Sequence, residues 1–304
     1  MRCLSAEETA TCLPWNALVD ELHRVLQAMR DGRVVAPLRQ QLELSRGGVL
    51  LTMPAADDDF AVVKLVTVHP HNETLGMPRV QGEVVVMRAE SGERLMWLDG
   101  QVVTARRTAA LSLLAAQALA SPQAQRGPLL IVGAGTQAEA HLFAFADAYK
   151  DMHIFIFGRN LARAQALAAR AAAQGIAAQA VDDLQAVLPE CGMVITATNS
   201  TSPVLPDAVR EDAFIAAIGA FTPSMAELPP SLVRRARLVV DTLDGARHEA
   251  GDLIQAEVDW TRVEALAAAV LEPPRSGVTV FKSVGCALWD LAAARAALRC
   301  GKVE

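Results

Sequence analysis

Gly133-Ala134-Gly135-Thr136-Gln137-Ala138 follows the apolar run LLIV and precedes a helical stretch, EAHLFAF. GxGxxA between a strand and a helix is the spacing of a dinucleotide-binding turn. Gly133 permits the tight turn, Gly135 lets the backbone approach a pyrophosphate, and Ala138 keeps the helix close to the strand. The helix start then offers free N–H groups and a positive dipole end to the phosphates, with Ala134, Thr136 and Gln137 as further loop contacts. The competing reading is a glycine turn with no ligand. A second decision rests on HIFIFGRN. A carboxylate closing that strand would accept the ribose 2′-hydroxyl of NAD, but Gly158-Arg159-Asn160 stands there instead. A guanidinium and an amide suit a 2′-phosphate, so NADPH is favoured over NADH. The alternative is that Arg159 is a solvated residue at a helix start.

The elements that must position these residues alternate. LLIVG, HIFIFG, MVITATN, FIAAIGA and RLVVD are short buried-strand candidates, each followed by helical or loop sequence. That alternation predicts βαβ units on a parallel sheet, an α/β fold of Rossmann type. Thr198 and Asn199 end one of these strands, at the edge where such sheets place ligands, and Ala197 and Thr198 are taken as cofactor contacts. The first 120 residues differ. Ser5 to Met29 is helical in period and opens on a capping box, Ser5-Ala6-Glu7-Glu8. QLELS, GGVLLTMPA, FAVVKLVTVHP, GEVVVMRAE and RLMWLDGQVV then read as strands of an antiparallel sheet, and residues 104–120 as a helix. SPQAQRGP (121–128) reads as a linker. The helix at roughly 285–300 is expected to return to the first domain. The division predicted is therefore 1–120 plus about 285–304, and 121–284.

The 304 residues suffice for two domains. With 52% hydrophobic residues a large core is available, and 34 acidic against 28 basic residues leave no basic stripe for nucleic acid. Five scattered cysteines without metal-ligand spacing fit free thiols in a reducing compartment. The N-terminus lacks signal-peptide character, and no apolar run of about 18 residues occurs. A cytoplasmic protein with no membrane partner is expected.

Several further segments are similar to the ornithine cyclodeaminase/mu-crystallin family: APLR (36–39), VVKLVTVHPHN (62–72), LDGQVVTARRTAA (98–110), IVGAGTQA (131–138), GRN (158–160), ITATNS (195–200), IGAFTPSMAELP (218–229), EAGDL (249–253) and FKSVGCALWDLAAA (281–294). They span most of the chain. The resemblance implies a Rossmann domain plus an N-terminal α/β domain that binds substrate, makes a homodimer contact and is completed by the C-terminal helix. It implies hydride transfer at the α-carbon of an amino or imino acid, with the substrate between the nicotinamide and a basic cluster. Arg39, Lys64 and Arg107 match that cluster. On residues alone, Arg39 would be an ordinary surface arginine, and Lys64 in VVKLVTV would more often face solvent. Arg107, before Thr108 at a helix start, could hold a carboxylate in two parallel bonds. Thr108, Ser283 and Val284 match cofactor-side positions. Arg106 reads as a phosphate or solvent contact, and Lys282 as a phosphate contact or an exposed residue.

The chain departs from the cyclodeaminases at Phe221, where they carry an aspartate. A phenyl ring neither accepts a proton nor orients water, so deamination is disfavoured. GAFTPxMAELP instead resembles the Δ1-pyrroline-2-carboxylate reductases, which also take Δ1-piperideine-2-carboxylate. Phe221 and Met53 could wall the ring methylenes, and Thr222 could hold a water. The implied reaction is reduction of the cyclic imino acid to L-proline or L-pipecolate, with Lys64 or a water as proton donor. Ornithine cyclodeaminase, an open-chain amino acid dehydrogenase and a crystallin-like binder are the rivals. His69 and His71 have HxH spacing, but no third ligand is near and the context reads as a turn, so no metal is expected. His23 and His141 read as packing or surface residues, Asp57-Asp58-Asp59 as a solvated loop, and no nucleophile elbow supports hydrolysis.

Overall fold

The computed structural model describes residues 1–300. The chain divides into two compact units, Met1–Leu111 with the segment from Cys286, and Ser112–Gly285.

Unit 1 is built on a six-stranded sheet of β1 (Arg2–Cys3), β2 (Gln40–Glu43), β3 (Val49–Ala56), β4 (Phe60–Val68), β5 (Val80–Arg88) and β6 (Arg94–Asp99), in the order β1-β6-β5-β4-β3-β2. All pairs are antiparallel except the edge pair β1–β6. Side chains alternate across a strand, so Val62, Lys64 and Val66 share one face of β4. That face is buried, with Val84 and Val86 of β5 and Met53 and Ala55 of β3. Helices Trp15–Arg30 and Ala287–Cys300 pack on each other, and the second also packs on β3 and β4. On the opposite face Leu65 is left 39% exposed.

Local chemistry sets the helix boundaries. The Ser5 hydroxyl accepts the Glu8 N–H while the Glu8 side chain accepts the Ser5 N–H, completing the expected capping box. The helix predicted from Ser5 to Met29 is in fact two, Ala6–Thr11 and Trp15–Arg30. Pro14 separates them, because proline lacks the N–H that a continuing helix needs. Residues 100–103, read as strand, are helical instead: Asp99 Oδ1 accepts the Val102 N–H at 2.8 Å and starts the helix Gly100–Leu119. Likewise the linker reading of 121–128 gives way to a short helix, Pro122–Gln125, capped by the Ser121 hydroxyl. The Asp57–Asp59 loop is not merely solvated, since Arg295 donates to both Asp57 and Asp59.

Unit 2 carries an eight-stranded, wholly parallel sheet. Its strands are β7 (Leu129–Val132), β8 (Ile154–Phe157), β9 (Ala178–Val181), β10 (Met193–Thr196), β11 (Phe214–Ala217), β12 (Arg237–Val240), β13 (Val263–Ala265) and β14 (Thr279–Lys282). The order is β13-β12-β14-β11-β10-β7-β8-β9. The five predicted strands are present, and β9, β13 and β14 are additional to them. β7, β10, β11 and β14 are buried along their whole length, as a sheet covered on both faces requires. Strand order reverses between β7 and β10, the switch point where sheets of this kind leave a crevice for ligands.

Candidate active site

The GxGxxA turn lies at that switch point. Gly133 has φ +129, and a Cβ built on it would stand 2.4 Å from the Ala197 carbonyl oxygen, so a side chain is excluded twice over. Gly135 precedes the helix Thr136–Ala148, and nothing lies within 4 Å of its would-be Cβ. Space is therefore open in front of the amides that begin this helix. A close-packed glycine behind and an open glycine in front make a cradle that a diphosphate fits. Ala138 is buried beneath it. His141, one turn on, is pushed by burial down to about 4 and is neutral at ordinary pH. Its Nδ1–H then donates to the Gln137 carbonyl, and its Nε2 accepts from the Ser112 hydroxyl. That is a packing role.

At the end of β8, Arg159 and Asn160 are exposed. Asn160 caps the helix Leu161–Ala172 through its Oδ1, which accepts the Arg163 N–H. Thr198, beyond β10, donates both its N–H and its hydroxyl to Glu227. Asp241 Oδ2 gathers the Ser283 hydroxyl and the N–H groups of Val284 and Gly285 after β14. Lys282 is neither exposed nor poised for phosphate: it is buried and paired with Asp252 at 2.9 Å. Phe221 is 44% exposed, and the Thr222 hydroxyl contacts Ser224.

In unit 1 two of the three basic residues, Lys64 and Arg107, converge on a carboxylate that the sequence did not reveal, and Arg39 acts on Lys64 through its charge. Asp290, fully buried on the closing helix, lies 2.9 Å from Lys64 Nζ and 3.2 Å from Arg107 Nε. Lys64, from the middle of β4, faces the interior and not solvent. Met53 pairs with it across β3–β4 and therefore sits on the same face. Arg107 is two turns inside its helix instead of at its start, and its terminal nitrogens make no protein hydrogen bond among the described residues. Burial lowers the Lys64 ammonium to about 8; Asp290 works against that, and Arg107 and Arg39 add to it. Thr108 donates to the Thr104 carbonyl of its own helix. Arg106 Nε donates to the Leu13 carbonyl, and its guanidinium lies 3.8 Å over Trp15. Asp290 had one signal in the sequence, a lone carboxylate in the otherwise apolar run CALWDLAAA. Glu227, in MAELP, had none of that clarity. Among the described residues no cluster of His, Cys, Asp and Glu could hold a metal, and no helix is long and apolar enough to cross a membrane.

A parallel sheet with a glycine turn at its switch point, joined in one chain to a sheet carrying a buried basic cluster, defines a Rossmann-type protein of two units. The profile of the ornithine cyclodeaminase/mu-crystallin family matches residues 2–298, and the chain belongs to that family. It is 41% identical over 293 residues to Delta(1)-pyrroline-2-carboxylate reductase 1 of Burkholderia multivorans, covering 96% of this chain and 93% of that one. It is also 41% identical over 295 residues to the Delta(1)-pyrroline-2-carboxylate/Delta(1)-piperideine-2-carboxylate reductase of Azospirillum brasilense, with coverage of 96% and 93%. Among solved structures, the Delta(1)-pyrroline-2-carboxylate reductase of Thermococcus litoralis in complex with NADH and L-proline superposes with a TM-score of 0.90. It is 26% identical and is covered over 98% of this chain and 97% of that one.

Proposed function

We propose that this protein reduces a small cyclic imino acid, Δ1-pyrroline-2-carboxylate or its six-membered homologue Δ1-piperideine-2-carboxylate, to L-proline or L-pipecolate, using NADPH. The observation that carries the reading is the pair of buried cations around Asp290. Two cations against one anion leave a positive surplus, and Arg107 keeps its terminal nitrogens for a ligand. A planar carboxylate satisfies that fork.

On this reading Arg107 holds the substrate carboxylate, with Lys64 and Arg39 as supporting charges and Met53 as an apolar wall beside Lys64. Lys64, an ammonium below about pH 8, holds a proton that the imine nitrogen requires. Unit 2 binds the dinucleotide: the Gly133–Gln137 turn takes the diphosphate, and Ala197, Thr198, Ser283 and Val284 take the nicotinamide side. When bound, the nicotinamide supplies hydride. Because an iminium is already electrophilic, positioning and charge supply most of the rate enhancement. Phe221 and Thr222 bound the ring, and Phe221 brings no carboxylate for deamination. The preference for NADPH over NADH rests on Arg159 and on the missing carboxylate after β8.

We further infer a homodimer through the face of the unit 1 sheet that carries Leu65, and a reducing, cytoplasmic setting for the five free thiols. Light scattering on the purified chain checks the first.

The deciding test is NADPH oxidation with freshly prepared Δ1-pyrroline-2-carboxylate, with NADH, and with ornithine plus NAD, in parallel. Loss of NADPH with formation of L-proline supports the reading. No loss with the imine, but ammonia and proline from ornithine, would overturn it.

A further inference from the structure

Two loops of unit 2 are fastened to one buried carboxylate. Glu227 accepts five hydrogen bonds. Its Oε1 takes the Thr198 N–H at 2.6 Å and the Thr198 hydroxyl at 2.8 Å. Its Oε2 takes the Thr196 hydroxyl at 2.9 Å and the N–H groups of Gly219 and Ala220 at 2.7 and 3.3 Å. Three of the five donors are backbone amides, which can only donate. Both oxygens therefore act as acceptors, and the bonds are charge-assisted in the ionised carboxylate, whose pKa burial pushes up and Lys282 and the Thr198 bonds pull back down.

The anchor is itself held. Asp252 Oδ1 accepts the N–H groups of Glu227 and Leu228 at 2.6 and 2.9 Å, and Asp252 Oδ2 lies 2.9 Å from Lys282 Nζ. All three charged side chains are at most 1% exposed. The second loop packs closely on the first. A Cβ on Gly219 would lie 2.1 Å from the Thr198 carbonyl oxygen and 2.4 Å from Glu227 Oε1.

What hangs from the anchor matters. Thr198 follows Ala197, whose carbonyl oxygen backs onto Gly133. Gly219 and Ala220 lead directly into Phe221 and Thr222. We propose that Glu227 is a positioning residue that couples the cofactor loop at 197–198 to the substrate loop at 219–222, so that one side chain sets the affinity for both ligands. The proposal rests on the functional reading above for the roles of those two loops.

The test is Glu227→Gln, which keeps the size but turns one acceptor oxygen into a donor facing donors. Titration of nicotinamide fluorescence should show the Kd for NADPH raised about tenfold, the size expected for losing one or two charge-assisted bonds. Turnover at saturating NADPH should show KM for the imine raised as well. A merely structural role would lower the melting temperature and leave both constants within twofold, and that result would overturn the proposal. So would a rise in only one of the two. Should Glu227→Gln fail to fold, Thr196→Val removes a single donor that the functional reading gives no ligand contact. Both constants should then rise about threefold, and unchanged values would again overturn the coupling. The parent protein is assayed first. If it does not turn over the imine, the functional reading falls, and the anchor is judged on the dinucleotide titration alone.

Discussion

Each unit carries a buried charge cluster, and the two clusters combine the same kinds of group in opposite proportions. In unit 1 two cations, Lys64 and Arg107, share one anion, Asp290. In unit 2 two acidic side chains, Glu227 and Asp252, stand with one cation, Lys282, which pairs with Asp252 while Asp252 also holds the Glu227 backbone N–H. All six residues are 5% exposed or less. The negative surplus of unit 2 is consumed internally, on three backbone N–H groups and two hydroxyls around Glu227. The positive surplus of the unit 1 cluster has no such internal sink, since Asp290 is the hydrogen-bond partner of both Lys64 and Arg107 among the described residues. A buried charge left over after its neighbours are counted is costly unless something arrives to meet it. One cluster is thus closed on itself, and on the proposed function the other receives the substrate carboxylate.

The sharpest way to break this comparison is Arg107→Ala. Truncating one side of a buried, hydrogen-bonded charge pair costs roughly 2–5 kcal/mol, so kcat/KM for the imine should fall about a thousandfold. Fluorescence titration should find NADPH affinity unmoved, and a parallel loss of NADPH binding would show that the receptor charge is not confined to unit 1. Next in size is Gly133→Ala, which sets a methyl group against the Ala197 carbonyl in a left-handed backbone. Calorimetric titration should find NADPH bound about a hundredfold more weakly, since a strained backbone residue costs on the order of 1–3 kcal/mol.

The charge state of the receptor supplies a third test. Lys64 is an ammonium below about 8 and neutral above it, because burial lowers it from 10.5. The groups that face it are Asp290 from the closing helix, Arg107 from its own helix, and Arg39. If the ammonium is required, kcat/KM falls as pH rises through about 8, approaching tenfold per unit. Asp290→Asn removes the anion that supports the ammonium, so the fall should move to lower pH; a profile that stays in place would detach Asp290 from Lys64. The smallest effect belongs to Arg159→Ala. This exposed guanidinium should change NADPH affinity by about fivefold and NADH affinity hardly at all, as measured by the ratio of the two KM values.

Legibility in the sequence followed distance along the chain. The dinucleotide turn was plain because Gly133 to Ala138 are neighbours whose chemistry is local. The capping box at Ser5–Glu8 was readable for the same reason. Arg39, Lys64 and Arg107 were found through family resemblance, and on residues alone Lys64 pointed the wrong way. Its counter-ion is 226 residues distant, and no local pattern reports a pairing of that span. Glu227 was passed over because its partners are mainly backbone amides, which leave no trace in residue types. Strands β9 and β13 escaped because AQAV and VEA are too short and too mixed to show a period. Lys282 misled because a lysine after an apolar strand is usually solvated, and only Asp252 explains its burial.

The interruption of unit 1 by unit 2 has a consequence for how the chain is made. Strand β4 and the helix bearing Arg107 leave the ribosome early, whereas Asp290 emerges only after all of unit 2. Synthesis proceeds at roughly 5–20 residues per second and domains tend to fold as units. During that interval the nascent first sheet holds two cations without their counter-charge and lacks the helix that covers β3 and β4. Unit 2, contiguous in the chain, can complete its own sheet without waiting. The last helix therefore closes the first unit of the chain last, and a ribosome stalled before Cys286 would release a nascent chain with its anion receptor unbalanced and part of its core uncovered.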